Sequence, residues 1–168
     1  VRLVVEYHRE LVRLFRSLPG IGLVVPQGEA LPECDAHLPM MSLPRVMQTT
    51  LETLPGTVPY LVPPANLVEE WAERIGTTGA GVRVGIVWSG ARKLESHLRR
   101  SCPLGLFMAL QTVPGVTLFS LQPGEAAAEL QAFPRSLCPV DLTDGIVDMA
   151  DTAAIISHLD LIISIDSA

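Results

Sequence analysis

Four of the chain's 12 basic residues, Arg92, Lys93, Arg99 and Arg100, fall within nine positions of a chain that is otherwise acidic, with a formal net charge of −6. They follow Val87-Trp88-Ser89-Gly90, an apolar run that ends in a small residue and a glycine, and they lead into Ser101. Small residues let a ligand approach the backbone, and the cations beyond them can neutralise a diphosphate. A solvated loop that is basic by chance is the competing reading.

Two more apolar runs end in polar residues. Ser120-Leu121-Gln122-Pro123-Gly124 offers Gln122 as a hydrogen-bond partner for a base or ribose, against a plain strand-to-helix turn. Leu161 to Ile165 reads as a strand buried on both faces, and it delivers Asp166 and Ser167. An acid and a hydroxyl at a strand end can hold sugar hydroxyls or phosphate; an N-cap at Asp166 is the alternative. Asp151 and Thr152 open the preceding helical pattern, where a cap is the first reading and a cleft-facing role the second. His158 lies beside Ile155 and Leu159 as a packed or surface histidine. His37, in the irregular DAHLPMMSLP stretch, is a candidate for a cleft-facing role. No GxSxG, P-loop, HExxH or GxGxxG motif occurs, so Val82 to Gly90 is a nucleotide-type strand and turn without the dinucleotide fingerprint.

Strands alternating with helices must place these residues. Val1–Glu6 predicts a strand, His8–Leu18 a helix stopped by Pro19-Gly20, and Ile21–Val25 a second strand. Six of the 14 prolines lie between residues 39 and 64, which marks a boundary. Asn66–Ile75 is helical. A second series then runs as strand Val82–Trp88, helix Pro103–Val113, strand Val116–Leu121, helix Gly124–Ala132, short strand Leu137–Leu142, helix Asp151–Leu159 and strand Leu161–Ile165. Such alternation means α/β architecture with parallel sheets. The expected organisation is a partial lobe over 1–60, a linker and connecting helix over 61–81, and a second partial lobe over 82–168. Asp166 should end an interior strand beside Val82–Val87, exposed, on the same sheet edge as Ser89 and Gly90.

Composition narrows the classes. A hydrophobic content of 48% fits parallel strands covered on both faces. The acidic balance excludes a dedicated nucleic-acid binder, and no apolar run approaches the ~20 residues of a membrane helix. Cys34, Cys102 and Cys138 are odd in number and far apart, and read as reduced core thiols of a cytoplasmic protein. The chain reads as a segment of a longer one at both ends.

Several segments together, DAHLPMMSLPRVMQTTLETLPGTVPYL, VRVGIVWSG, RRSCPL, GVTLFSLQ and DMADTAAIISHLDLIISIDSA, resemble the glycosyltransferase family 9-like, heptosyltransferase-like domain of bacterial tetratricopeptide-repeat proteins. The resemblance covers essentially the whole chain. It implies a GT-B fold, two Rossmann-like lobes with the nucleotide-sugar donor held mainly by the C-terminal one, and inverting-type transfer to a glycan, lipid-linked or protein acceptor. No metal or other cofactor is implied. Arg100, Ser101, Pro103 and Leu104 match the family element; His97 and Leu98 stand where the family carries Asp and Arg. By the same resemblance Asp166 and Ser167 meet the donor's sugar and phosphates. The catalytic base and the repeats would lie upstream of Val1, leaving this segment inactive alone. A non-catalytic sugar- or protein-binding module of the same fold is the second reading, and an epimerase-like enzyme a third.

Overall fold

The computed structural model describes residues 1–79, 81–90 and 100–166. The protein is α/β with two parallel sheets, and the chain divides into two compact units, Val1–Val62 and Pro63–Ala168.

In the first unit, the β-branched run LVVEY forms strand β1 (Leu3–Tyr7). A 3-10 turn (Arg9–Leu11) leads into the short helix α1 (Val12–Phe15), and Gly20, at φ +85°, turns the chain into β2 (Ile21–Pro26). The two strands are parallel, with Tyr7 opposite Pro26. β1 thus starts two residues later than the pattern indicates, and the helix is shorter at both ends. Beyond β2 only a 3-10 turn (Met40–Ser42) and helix α2 (Leu43–Val46) interrupt an extended, proline-punctuated path. Its apolar side chains, Met41, Met47, Leu51 and Val58 among them, are exposed.

The second unit opens with α3 (Ala65–Ile75), which the sequence set in a connecting segment. Leu67, Trp71 and Ile75 recur every four residues and form one buried stripe. Such burial contributes about 1.5–3 kcal/mol for each large side chain. Gly76 ends the helix at φ +53°. Next come β3 (Val82–Val87), α4 (Leu104–Met108) continuing as a 3-10 turn, β4 (Val116–Ser120), β5 (Val140–Asp141), α5 (Met149–Ile156) and β6 (Leu161–Ser164). All neighbours are parallel, in the order β5-β4-β3-β6.

Val84 and Ile86 of β3 and Trp88 just beyond it join Leu118, Leu104, Phe107 and Leu130 in the core over one sheet face. On the other face Gly85 makes room: a Cβ there would lie 2.7 Å from Ile162 Cδ1 and 2.8 Å from Leu159 Cδ1. Helices α3 and α5 are tied by Trp71 Nε1, which donates to Asp151 Oδ1 at 3.0 Å, and by a 2.8 Å hydrogen bond between His158 Nε2 and the Val68 carbonyl.

Several expectations are corrected. Pro103–Val113 relaxes from α to 3-10 geometry after Met108, and Gly124–Ala132 is entirely 3-10, entered from Pro123 with Gly124 at φ +75°. The strand expected at Leu137–Leu142 shrinks to two residues. β6, expected to be an interior strand buried on both faces, pairs with β3 alone among the described residues; Leu161 and Ser164 are exposed and Ile162 and Ile163 half-buried. Cys34 is exposed and Cys102 and Cys138 half-buried, so none is a fully buried core thiol. Among the described residues no helix is long and apolar enough to cross a membrane.

Candidate functional site at the carboxyl edge of the second sheet

Register decides which polar residues meet. Because Ile86 sits opposite Ser120 on one side and Val87 opposite Ser164 on the other, extending the ladders brings Gln122, Trp88-Ser89 and Asp166 to one edge. Backbone bonds carry the ladders past the strands, from Leu121 N to the Ile86 carbonyl and from Ile165 N to the Val87 carbonyl, each 3.1 Å. This is the carboxyl edge, where parallel sheets collect ligands. The chain returns to it through Cys102, whose N–H donates to the Trp88 carbonyl at 2.9 Å, and this sets Arg100 and Ser101 beside the strand end.

Two pairs of groups meet there. The Arg100 guanidinium donates to the Asp166 carbonyl at 3.4 Å and lies 4.0 Å from its carboxylate. The Ser89 and Ser101 hydroxyls are 3.3 Å apart. Ser89 is buried, Ser101 and Gly90 are half-buried, and the Asp166 side chain is 94% exposed. An ion pair this open contributes about 0–1 kcal/mol. The edge therefore offers a planar donor for phosphate, a carboxylate that accepts from hydroxyls, and two hydroxyls able to do both. Arg92, Lys93, His97, Leu98, Arg99 and Ser167 lie outside the described residues.

Gln122 is corrected from ligand contact to structural strap. It is 2% exposed, and every hydrogen-bonding group of its side chain is engaged. Oε1 accepts from the N–H groups of Trp88 (3.0 Å) and Ser89 (2.8 Å), while Nε2 donates to the carbonyls of Ser89 (3.0 Å) and Pro123 (3.1 Å). The expectation failed because Gln122 stands level with the end of β3, whose turn has orphan backbone groups to satisfy.

Asp151 is likewise structural rather than cleft-facing. The helix N-cap is Asp148, which accepts from Ala150 N at 2.7 Å, and Asp151 is the third helical residue of a capping box. Asp151 is 4% exposed; its Oδ2 accepts from Val147 N at 3.0 Å while its Oδ1 holds Trp71. Thr152 follows on the same turn, half-buried, and its N–H donates to the Asp148 carbonyl. His37 is exposed in the first unit. A concavity of about 310 Å³ lies along Val116–Leu118 and Ser136–Cys138, and no sequence-derived candidate lines it. Trp88, 1% exposed, has an indole N–H without a hydrogen-bond partner among the described residues. Among the described residues no group of three or more His, Cys, Asp or Glu side chains is placed to hold a metal ion.

No family model matches the chain, and no solved structure does. Among curated proteins the chain is similar to Protein FlbA of Caulobacter vibrioides, 28% identical over 127 residues. The match covers 73% of this chain and 21% of that protein, so the chain spans about a fifth of the relative's length.

Proposed function

We propose that the second unit holds the diphosphate of a nucleotide-sugar donor along the carboxyl edge of β3 and β6, as the donor lobe of a GT-B glycosyltransferase. The observation that carries this reading is the meeting of Arg100, Asp166 and the Ser89–Ser101 hydroxyl pair, drawn from three separate stretches of chain, at one sheet edge. The resemblance of VRVGIVWSG, RRSCPL and IDSA to the heptosyltransferase-like domain supports it from the sequence. In this reading Arg100, with Arg92 and Lys93 a few residues before it in the sequence, lowers the charge of the diphosphate as it departs. Asp166 accepts from a sugar hydroxyl, Ser89, Gly90 and Ser101 shape the edge, and Ser167 follows Asp166 in the sequence as a further hydroxyl for the donor. A base elsewhere in the longer protein takes the acceptor's proton.

Isothermal titration of the chain with uridine, guanosine and adenosine diphosphate sugars tests the reading. One of them should bind, and Arg100→Ala should weaken it by roughly 10- to 150-fold, the range of a charge-assisted hydrogen bond. Absence of binding by every nucleotide sugar, or an unchanged affinity in the variant, refutes it. His97 and Leu98, where the resembled family has Asp and Arg, favour one further reading: a module that binds the donor without turning it over. Tight binding without sugar transfer by the full-length protein would select that reading.

A further inference from the structure

β4 is paired along its whole length on one side and along only part of it on the other. Val82 to Ile86 of β3 lie opposite Val116 to Ser120, whereas β5, among the described residues, meets only Phe119 and Ser120. The concavity of about 310 Å³ lies in the gap that this leaves, between Val116–Leu118 and Ser136–Cys138. It belongs wholly to the second unit and shares no residue with the candidate donor site.

The alternation of the strand decides which backbone groups face the gap. The Gly115 carbonyl accepts from Val82 N, and Leu121 N donates to the Ile86 carbonyl. Gly115, Thr117, Phe119 and Leu121 therefore turn their backbone groups to β3. Val116, Leu118 and Ser120 turn theirs the other way, where the Ser120 carbonyl accepts from Leu142 N at 3.1 Å. The Val116 N–H is engaged by the Val113 carbonyl at 3.2 Å. The Val116 carbonyl and the Leu118 N–H thus precede the first rung to β5 and face the gap. Across it, the 3-10 turn Arg135–Leu137 directs the N–H groups of Leu137 and Cys138 to the carbonyls of Pro134 and Arg135. Pro139 has no N–H to give. That turn keeps β5 from closing along the first half of β4.

The gap selects its occupant by hydrogen-bond sense and by charge. One residue of a strand running parallel to β4 donates to the Val116 carbonyl and accepts from the Leu118 N–H, so a single peptide unit answers both groups. The lining carries no formal charge among the described residues: Gln111, Thr117 and Ser136 are polar, and Val116, Leu137 and Val140 are apolar. The Cys138 thiol is directed to the carbonyls of Leu130 and Phe133, at 3.3 and 3.6 Å. A phosphate, carboxylate or ammonium group would lose hydration there without a counter-charge. Water answers the two backbone groups but leaves Leu137, 51% exposed, uncovered. The volume is also far above the ~10–15 Å³ that one water needs. An uncharged peptide with an apolar side chain meets both demands.

We propose that the gap beside Val116–Leu118 docks an extended, uncharged peptide segment, which adds a short parallel strand to β4. The proposal does not depend on the donor reading, because no residue is shared with it. Amide hydrogen exchange and chemical-shift mapping on the 168-residue chain test it. The probe is acetyl-Thr-Val-Thr-Val-amide. The counter-probes are the same peptide N-methylated at every residue, which removes its main-chain donors, and acetyl-Asp-Val-Asp-Val-amide. The probe should slow exchange of the Leu118 amide and shift the amides of Val116 to Leu118 and Ser136 to Cys138. N-methylation should weaken binding about three- to tenfold, and so should Leu137→Asp, a change at an exposed position. The assignment is overturned if the probe leaves these amides unchanged, or if the N-methylated or acidic peptide binds as well as the probe. It is also overturned if Leu118 exchange responds to protein concentration and not to peptide, since a second copy then fills the gap. Where Leu137→Asp alters the circular dichroism spectrum, the pair of parent and N-methylated peptides decides.

Discussion

Replacing Gln122 by alanine should unfasten the end of β3. The side chain makes four hydrogen bonds in a position 2% exposed, and three of them go to the backbone of Trp88 and Ser89. Alanine leaves two N–H groups and two carbonyls without that partner. Each buried orphan costs about 1–3 kcal/mol. Water entering the vacated space answers some of them, so the net loss should be about 3–5 kcal/mol. That is a large part of the ~5–15 kcal/mol that holds a domain folded. Urea unfolding followed by tryptophan fluorescence reads it directly, since Trp88 adjoins the strap. Gln122→Glu refines the test. It keeps both acceptor contacts but sets a carboxylate oxygen against the carbonyls of Ser89 and Pro123, and a proton on it restores one donor. The folded state of this variant then binds the proton more tightly than the unfolded state, so its stability should fall as pH rises. A loss below about 1 kcal/mol in Gln122→Ala, or full stability with abolished nucleotide binding, would refute the strap and return Gln122 to the ligand.

Asp151→Ala should cost roughly 3–5 kcal/mol, because a buried carboxylate that holds the Trp71 indole and two backbone N–H groups is lost; a melting curve within 2 °C of the parent would contradict this. Gly81→Ala should cost at least ~2–3 kcal/mol, since φ is +94° and a Cβ would sit 2.1 Å from the Gly115 carbonyl oxygen, which also accepts from Val82 N. Denaturant midpoints check this, and a neutral result would refute the close approach of the turns that enter β3 and β4. Asp166→Asn should leave stability within about 0.5 kcal/mol, as befits an exposed group in a weak ion pair. In the full-length protein it should depress sugar transfer much further; equal activity would remove Asp166 from the site.

Asp166 and Ser89 were legible as a pair because both end apolar runs, and parallel strands share a carboxyl edge whatever their order. The α/β class was legible for the same reason: strand and helix periodicities are local, and Leu67, Trp71 and Ile75 declare a helical stripe without reference to the rest of the chain. Local pattern also misled. GEAAAELQA is rich in helix formers, yet it is 3-10 throughout, entered by way of Pro123 and Gly124. The apolar run Leu161–Ile165 reads as interior, yet whether a strand is interior depends on its neighbours.

What only the tertiary structure decided is the employment of each polar side chain. Gln122 and Asp151 have the chemistry of ligand contacts, and both are consumed by the fold. Gln122 meets backbone groups 33 and 34 residues away, and Asp151 an indole 80 residues away. Arg100 reaches Asp166 across 66 residues, and it is this pairing that brings a cation and a strand end to one edge. A sequence states which donors and acceptors a side chain carries. Which of them remain open to a ligand depends on the groups that come within about 3 Å of them, and sheet register brings those groups from distant parts of the chain.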